Sequence, residues 1–592
     1  MSTPSSSKGT IWAFWGLFVC LNLLLFLPVY LFNADDVSFL PSHGIWGEGA
    51  PWWQGLLVRS NLDLFRLSAE WALLVTLGGL LVRWRRGPAL WRWLATSLYL
   101  FLLIYQLYYA GSIRIYGQHP LILNDLVLAK EVLPIYLDQL SGGSWLIYPL
   151  ALLGLGVVIA LVVLLIRTLS RLMARMSGLS LWGGLALIWL LVLLGTLGSR
   201  GLDFRPDYFA VQWTSPLIQR SLVMEDLNKI EQLPGKLIYQ GYDQMPLARK
   251  PDIYLLFIES YGRAIATKPW TRDAYYALIQ NLEDSLRQAG WHSQSAYSEA
   301  PILGGKSWLS FTTVMTGVKI DNQLHFNDLL SLHPNYPHLM HYLKGQGYGV
   351  YRMKTFSKQK ASTEEAYALQ DNFFGFDRWV KHGDIPYQGF EYDFHGGIPD
   401  QYALGYFRDE VVGDTTKPTF LFFITMASHV PWFPPPPVVA DWRQLDSITE
   451  DPYHIPIADT VTRRYDRFMA RLEDKMAFRY AKAIRYDLQM AKEFILSHPR
   501  EDALFIVLGD HQPPALTYYG GDGLEVPVHL ISRDSALLSG FEAYGFQPGM
   551  TADTTLPAPL QHAGIYSMLM RELTTRYGTG RRARPVYLKE GI

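Results

Sequence analysis

The stretch Gly304-Gly305-Lys306-Ser307 sets a hydroxyl directly behind a glycine turn. Gly304 and Gly305 permit backbone angles that other residues resist. Ser307 then falls at or near the N-cap of a short helix that runs to Thr316-Gly317. Free backbone N–H groups and the helix dipole make that end attractive to anions, phosphate included. A serine there, beside Lys306, can be held as an alkoxide by a metal ion and attack phosphorus. The same residues fit an ordinary capped helix behind a loop, so the reading depends on whether the chain supplies metal ligands.

The elements that must position them lie in the C-terminal part. Apolar runs of strand length occur at 252–258, 348–353, 420–425, 503–508 and 526–531. Helical patterns separate them at 272–289, 337–346, 462–497 and 561–576. Buried strands alternating with helices predict a mostly parallel sheet covered on both faces. Active sites in such folds lie beyond the carboxyl ends of the strands. Two of these strands run into charge, the first into Glu259-Ser260 and the fourth into Gly509-Asp510-His511. An ionised residue directly after a buried strand points at the crevice rather than the core. Carboxylate oxygens with an imidazole nitrogen suit Zn²⁺ or Mn²⁺. Glu259, Asp510 and His511 give three ligands, and the Ser307 hydroxyl can be the fourth.

The chain has 592 residues and a formal net charge of −1, so it carries no global basic signature for nucleic acid. Its one cysteine, Cys20, lies in an apolar run, which excludes disulfides and cysteine-based zinc sites. The 19 tryptophans are dense in the first 200 residues, as suits membrane interfaces. Five apolar segments, 11–32, 67–82, 93–110, 145–166 and 181–197, predict a transmembrane domain over 1–198. The second is short and begins near Glu70. Lys8, Arg83, Arg85, Arg86, Arg92, Arg167, Arg171 and Arg175 outnumber the cations of the opposite loops, which marks their side as cytoplasmic. An odd number of spans then puts everything after Gly198 outside. Residues 199–250 read as a linker containing an amphipathic helix at 215–233, and 251–592 as the catalytic domain.

The ordered motifs Phe257-Ile258-Glu259-Ser260, Gly305-Lys306-Ser307, Met426-Ala427-Ser428-His429-Val430-Pro431 and Gly509-Asp510-His511 resemble those of the alkaline phosphatase/sulfatase superfamily. The match is closest to the lipoteichoic acid synthase group of membrane phosphoglycerol transferases. The resemblance spans essentially the whole chain. It implies a sulfatase-like α/β extracytoplasmic domain behind five transmembrane helices, in a bacterial cytoplasmic membrane. It implies one divalent ion (Mn²⁺ or Zn²⁺, with Mg²⁺ a further candidate) on Glu259, Asp510 and His511, with Ser307 where the synthases have threonine. His429 matches a histidine near the phosphate or headgroup, a candidate general acid for the leaving alkoxide.

Two departures carry information. Formylglycine formation in sulfatases requires Pro and Arg two and four residues after the nucleophile, where this chain has Leu309 and Phe311. Sulfate-ester hydrolysis is therefore not expected. The synthases have a histidine after the third strand and then a Trp-Asn-Arg stretch, where this chain has Lys354 followed by Thr355-Phe356-Ser357-Lys358. Lys354 can bind phosphate as a point charge, and the headgroup pocket is rebuilt. His325, His333, His338 and His341 fit no metal-ligand spacing, and Pro434–Pro437 reads as a spacer. No Gly-rich nucleotide loop follows a strand, so ATP is not the expected donor.

The leading expectation is a transferase that moves a phosphorylated headgroup from a membrane phospholipid through Ser307. The donor would be phosphatidylglycerol, and the acceptor a glycan, glycolipid or growing polymer. Phosphoethanolamine transfer ranks lower, because that group generally carries disulfides. A catalytically inactive lipid sensor is the third reading.

Overall fold

The structure is a computed structural model. It describes residues 7–32, 58–59, 64–82, 87–116, 119–122, 124–126, 147–198, 207–208, 211–222, 236–355, 361–392, 397–412, 416–430, 432–450, 472–514, 516–517, 523–555, 558–579 and 584–592. The chain divides into two compact units, residues 1–225 with 518–520, and 226–517 with 521–592.

The first unit contains α1 (Lys8–Phe32), α2 (Ala69–Leu81), α3 (Gly87–Tyr116), α4 (Ile147–Arg175), α5 (Gly178–Gly198) and α6 (Thr214–Leu222). Four of them, α1, α3, α4 and α5, are long and apolar enough to cross a membrane. The expected second span is only α2, 13 residues long. At 1.5 Å per residue it reaches about 20 Å, against a hydrocarbon core of about 30 Å. Asn22 of α1 explains how that short helix is held. Its amide donates to Arg66 O at 2.5 Å and accepts from Ser68 N at 2.9 Å, which fixes the entry to α2. Glu70 in the first turn of α2 accepts from the backbone and hydroxyl of Ser215. The expected amphipathic helix at 215–233 is α6 in its first part, and 223–233 lies outside the described residues.

The second unit is built on β1 (Asp252–Ile258), β2 (His292–Glu299), β3 (Gly349–Met353), β4 (Arg378–Val380), β5 (Thr419–Ile424), β6 (Ala503–Gly509), β7 (Glu525–Ser532), β8 (Gln547–Pro548) and β9 (Leu560–Gln561). Sheet order is β8-β2-β7-β6-β1-β5-β3-β4, with β9 beside β2. From β6 to β4 all neighbours are parallel. The apolar run at 526–531 forms a strand as expected, but β7 pairs antiparallel with β6. Strands β2 and β4 were not legible in the sequence. Strand β2 reads His-Ser-Gln-Ser-Ala-Tyr-Ser-Glu, and its Ser295 and Ser298 are buried because they serve buried histidines.

Both sheet faces are covered, so β1 is buried throughout and apolar after Asp252. Ile253, Leu255 and Phe257 enter one core, where α7 (Ser307–Thr316) and α9 (His562–Tyr577) pack. Tyr254, Leu256 and Ile258 enter the other, beneath α8 (Leu472–Leu496) and the helix Arg272–Gln288. The helix expected at 462–497 is described from Leu472 onward, and 462–471 lies outside the described residues.

The candidate histidine cluster serves helix ends rather than a metal. His338 caps Leu339–Gly345, with Nδ1 accepting from His341 N at 3.1 Å and Nε2–H donating to Phe373 O at 3.0 Å. Burial pushes the His338, His529 and His562 imidazoles down to about 3. A depressed folded-state value means that the unfolded chain binds the extra proton first. The stability is full above about pH 6.5 and drains as pH falls toward 3, at up to about 1.4 kcal/mol per pH unit per group. His338→Asn keeps a capping oxygen without a titrating ring. Thermal unfolding of the full chain between pH 7 and pH 4 is expected to show a shallower acid loss in this variant than in the parent. An unchanged slope would remove His338 from the acid response.

Candidate active site

Registry creates the site. Ile258 of β1 is the partner of Gly509 of β6, so the next residues, Glu259 and Asp510, emerge side by side at the carboxyl end of the sheet. His511 follows on the same turn. Glu259 is 3% exposed, and Asp510 and His511 are fully buried. One ligand atom from each lies within 4.8 Å of the others, and this is the metal-competent cluster among the described residues. His511 Nε2 lies 3.3 Å from Glu259 Oε1 and 3.4 Å from Asp510 Oδ2. Ser307 Oγ closes the group, donating to Glu259 Oε2 at 2.8 Å with His511 Nε2 at 3.3 Å.

The backbone around these groups is held under strain. Gly305 and Lys306 both have left-handed backbones, with φ of 64° and 56°, and Ser307 then opens α7 as its first residue. Glycine takes that conformation freely, whereas a lysine there costs about 1–3 kcal/mol. The half-buried Ser307 hydroxyl and the first free N–H groups of α7 thus share one end of the helix. Gln512 ties this loop to the β6 turn by donating from its backbone to Leu303 O at 2.8 Å. Its side chain spans Ala264 N and Glu525 O.

The donor set fits a divalent cation. His511 Nδ1 faces Gln512 O at 2.8 Å, and because a carbonyl only accepts, Nδ1 carries the proton and Nε2 is left as the ligand. Asp510 Oδ1 accepts from Ser260 N and His511 N, both at 2.7 Å. Asp510 Oδ2 is buried and accepts no hydrogen bond among the described residues. Two dry carboxylates at this separation repel. Burial and then the Glu259 charge push Asp510 well above the usual carboxylate range. Burial also raises Glu259, but the His511 charge and hydrogen bond outweigh it and hold Glu259 low. Burial lowers His511, but the two carboxylates override it and raise the imidazole to about 9. A cation at this point satisfies all three at once.

The other sequence candidates are placed as follows. Lys306 is 7% exposed and immediately precedes Ser307. His429 is half-buried in the turn after β5, near enough for its charge to lower Glu259. Lys354 is 5% exposed at the end of β3, two strands from β1. The sequence reading missed the outer support. Glu259 N donates to Thr425 Oγ1 at 3.1 Å, and Thr425 donates to Asp487 Oδ2 at 2.8 Å. Asp400 accepts from Met426 N and Ala427 N, which shapes the turn that carries His429. Burial pushes the Asp400 carboxyl up to about 7, and burial plus the Asp400 charge holds Asp487 well above the usual carboxylate range. Tyr480 OH donates to Ser260 O at 2.9 Å. One signal for Asp487 was available, since it interrupts the apolar stripe Tyr480, Ile484, Ala491, Phe494 of α8 at core spacing.

Residues 276–567, just under half of the chain, match the family model described as Sulfatase. The match includes Ser307, Asp510 and His511 and begins after Glu259. No curated protein matches the chain. Solved structures similar to it include the integral membrane lipooligosaccharide phosphoethanolamine transferase A (EptA) from Neisseria meningitidis, at 13% identity and a TM-score of 0.44 over 96% of each chain. The lipoteichoic acid synthase LtaP from Listeria monocytogenes is similar at 13% identity and a TM-score of 0.34, over 60% of this chain and 80% of that one. The Streptococcus pyogenes phosphoglycerol transferase GacH, in complex with sn-glycerol-1-phosphate, is similar at 13% and 0.32, over 59% and 86%.

Two variants test the arrangement. His511→Ala is expected to lose stoichiometric Zn²⁺ or Mn²⁺ in metal analysis of the purified full chain while keeping its thermal unfolding. Thr425→Val removes the acceptor for Glu259 N and is expected to weaken the ion by about 10–100-fold without touching a ligand. Metal content unaffected by both changes would leave the cluster without an ion.

Proposed function

We propose that this sulfatase-family domain is a metal-dependent transferase of phosphorylated headgroups, with Ser307 as the nucleophile. The observation that carries the reading is the Ser307 hydroxyl at 2.8 Å from a buried carboxylate and 3.3 Å from His511 Nε2, at the start of a helix. Glu259, Asp510 and His511 would hold the divalent ion, which when bound favours the alkoxide form of a coordinated hydroxyl and polarises phosphate oxygens.

In the first half-reaction, the Ser307 Oγ–phosphorus bond forms and the bond from phosphorus to the diacylglycerol oxygen breaks. The leaving oxygen takes a proton from His429, and the headgroup stays on Ser307 as a phosphodiester. In the second, an acceptor hydroxyl gives its proton to His429 and bonds phosphorus, and Ser307 is released. Lys306 and Lys354 supply positive charge for the phosphate oxygens. Phosphatidylglycerol is the donor in this reading, and a glycan, glycolipid or polymer is the acceptor. Residues 251–592 carry the chemistry on the outer side of a bacterial cytoplasmic membrane, residues 1–198 anchor it, and 199–250 link the two. The loop cations support that sidedness with α2 counted as a fifth crossing; α1, α3, α4 and α5 alone would return the chain to the side of Lys8.

Incubating the full chain with phosphatidylglycerol or phosphatidylethanolamine labelled in the headgroup is expected to add one headgroup phosphate to the peptide that holds Ser307. The added mass names the headgroup. Ser307→Ala is expected to lose both adduct and lipid turnover with unchanged thermal unfolding. Undiminished turnover in that variant would refute the nucleophile.

A further inference from the structure

Helix α8 has two working faces. Tyr480, Ile484, Asp487 and Ala491 face the sheet and back the site. Offset by two positions, Phe478, Lys482, Arg485, Gln489 and Lys492 repeat the same alternation of four and three. This second stripe lines a groove of about 740 Å³ between α8 and the helix Arg272–Gln288. The opposite wall is uncharged, with Ala274, Ala277, Leu278 and Leu282 beside the polar Thr271, Asn281 and Ser285. Trp270 and Phe478 also line it and are 42% and 61% exposed. Every charged residue lining the groove is a cation. The Lys482 ammonium sits 4.4 Å from the Phe478 ring centroid, and Lys492 pairs with Glu493 at 2.7 Å outside the groove. Arg485 has no carboxylate partner among the described residues.

We propose that this groove binds one anionic glycerophospholipid, with an acyl chain along Ala274 and Leu278 and the phosphate on Arg485 and Lys482. Three features favour that occupant. An apolar floor with a one-sided cationic wall is complementary to an anionic amphiphile. Both walls are helices whose backbone groups are bonded internally, so an extended peptide would find no backbone partners. From Phe478 to Lys492 the helix runs about 21 Å, long enough for an extended acyl chain. Exposed aromatic rings in the lining suit the boundary between headgroups and chains. The site is separate from Ser307. It does not depend on the transfer reaction, although α8 connects the two through Tyr480 and Asp487.

The test uses the full chain in phosphatidylcholine nanodiscs doped with phosphatidylglycerol that carries a photoactivatable acyl chain. A phosphatidylcholine probe with the same chain is the control, and adducts are assigned by peptide mass spectrometry. Adducts are expected on 272–288 and 472–496 from the phosphatidylglycerol probe, in clear excess over the control. The double variant Lys482→Glu/Arg485→Glu is expected to reduce them at least about tenfold. Ala481→Trp, which fills the groove without altering charge, is expected to reduce them as well. Thermal unfolding checks that the variants fold, with Lys482→Gln/Arg485→Gln as the milder pair. Ser307→Ala is expected to label normally, so failure of the chemistry and failure of the groove are told apart. Labelling absent from both helices, or equal for the two probes and indifferent to charge reversal, overturns the proposal. So does a cross-link that shows a protein segment in the groove.

Discussion

The structure depends on one registry. Pairing Ile258 with Gly509 forces Glu259 and Asp510 to leave adjacent strands at the same height, in a region that excludes water. Two ionised carboxylates there repel, and each has lost its hydration. The surrounding atoms answer that cost in part. Two backbone N–H groups converge on Asp510 Oδ1, Thr425 accepts from Glu259 N, and the His511 imidazole faces both acids. What remains is a concentration of negative charge, with Asp510 Oδ2 accepting no hydrogen bond among the described residues. A divalent ion is the species whose charge and coordination habits match that remainder.

The supporting layer works from the opposite side of the sheet to the helix that Ser307 opens. Helix α7 lies over one core and α8 over the other, and both reach the carboxyl end of β1. The α8 side chains Tyr480 and Asp487 hold Ser260 and Thr425, which lie two residues beyond the end of β1 and one beyond the end of β5. Ser260 has a left-handed backbone with φ of 60°, a conformation costly for serine. A strained residue between a ligand and a buried helix keeps its geometry only while that helix stays packed. The strain at Lys306 is held similarly, because Leu309, Val314 and Met315 of α7 are fully buried.

Much of this arrangement was legible because the signals are local. Four buried parallel strands read as apolar runs, and charge at their ends read as a crevice. The parts that stayed hidden depend on partners distant in sequence. Strand β2 is polar, and only the burial of His529 and His562 against its serines makes it a strand of the interior. The antiparallel direction of β7 is invisible in an apolar run, which reads alike in both directions. Asp400 and Asp487 act on a turn made by residues 425–429, and nothing in their own neighbourhoods names that turn. For the first unit, hydropathy found the helices but not their lengths. Asn22 and Glu70 fix the start of α2 through partners distant in sequence, which a window average cannot see.

The two positions where this chain lacks the formylglycine motif also explain how Ser307, the proposed nucleophile, is held. Leu309 is fully buried and Phe311 is 4% exposed, both in the core beneath α7. The Phe311 ring packs 5.0 Å from Phe422 and lies 5.5 Å from the Arg352 guanidinium. Arg352 also lies 4.0 Å from the Trp379 ring and donates to Gln370. A proline at 309 or an arginine at 311 would open a cavity or bury a further charge in this stack, either of which is destabilising. The helix that presents Ser307 is therefore anchored by apolar side chains on the residues a modifying enzyme would need to read. That packing favours an unmodified serine, and with it a phosphoserine ester, as the covalent stage of the proposed reaction.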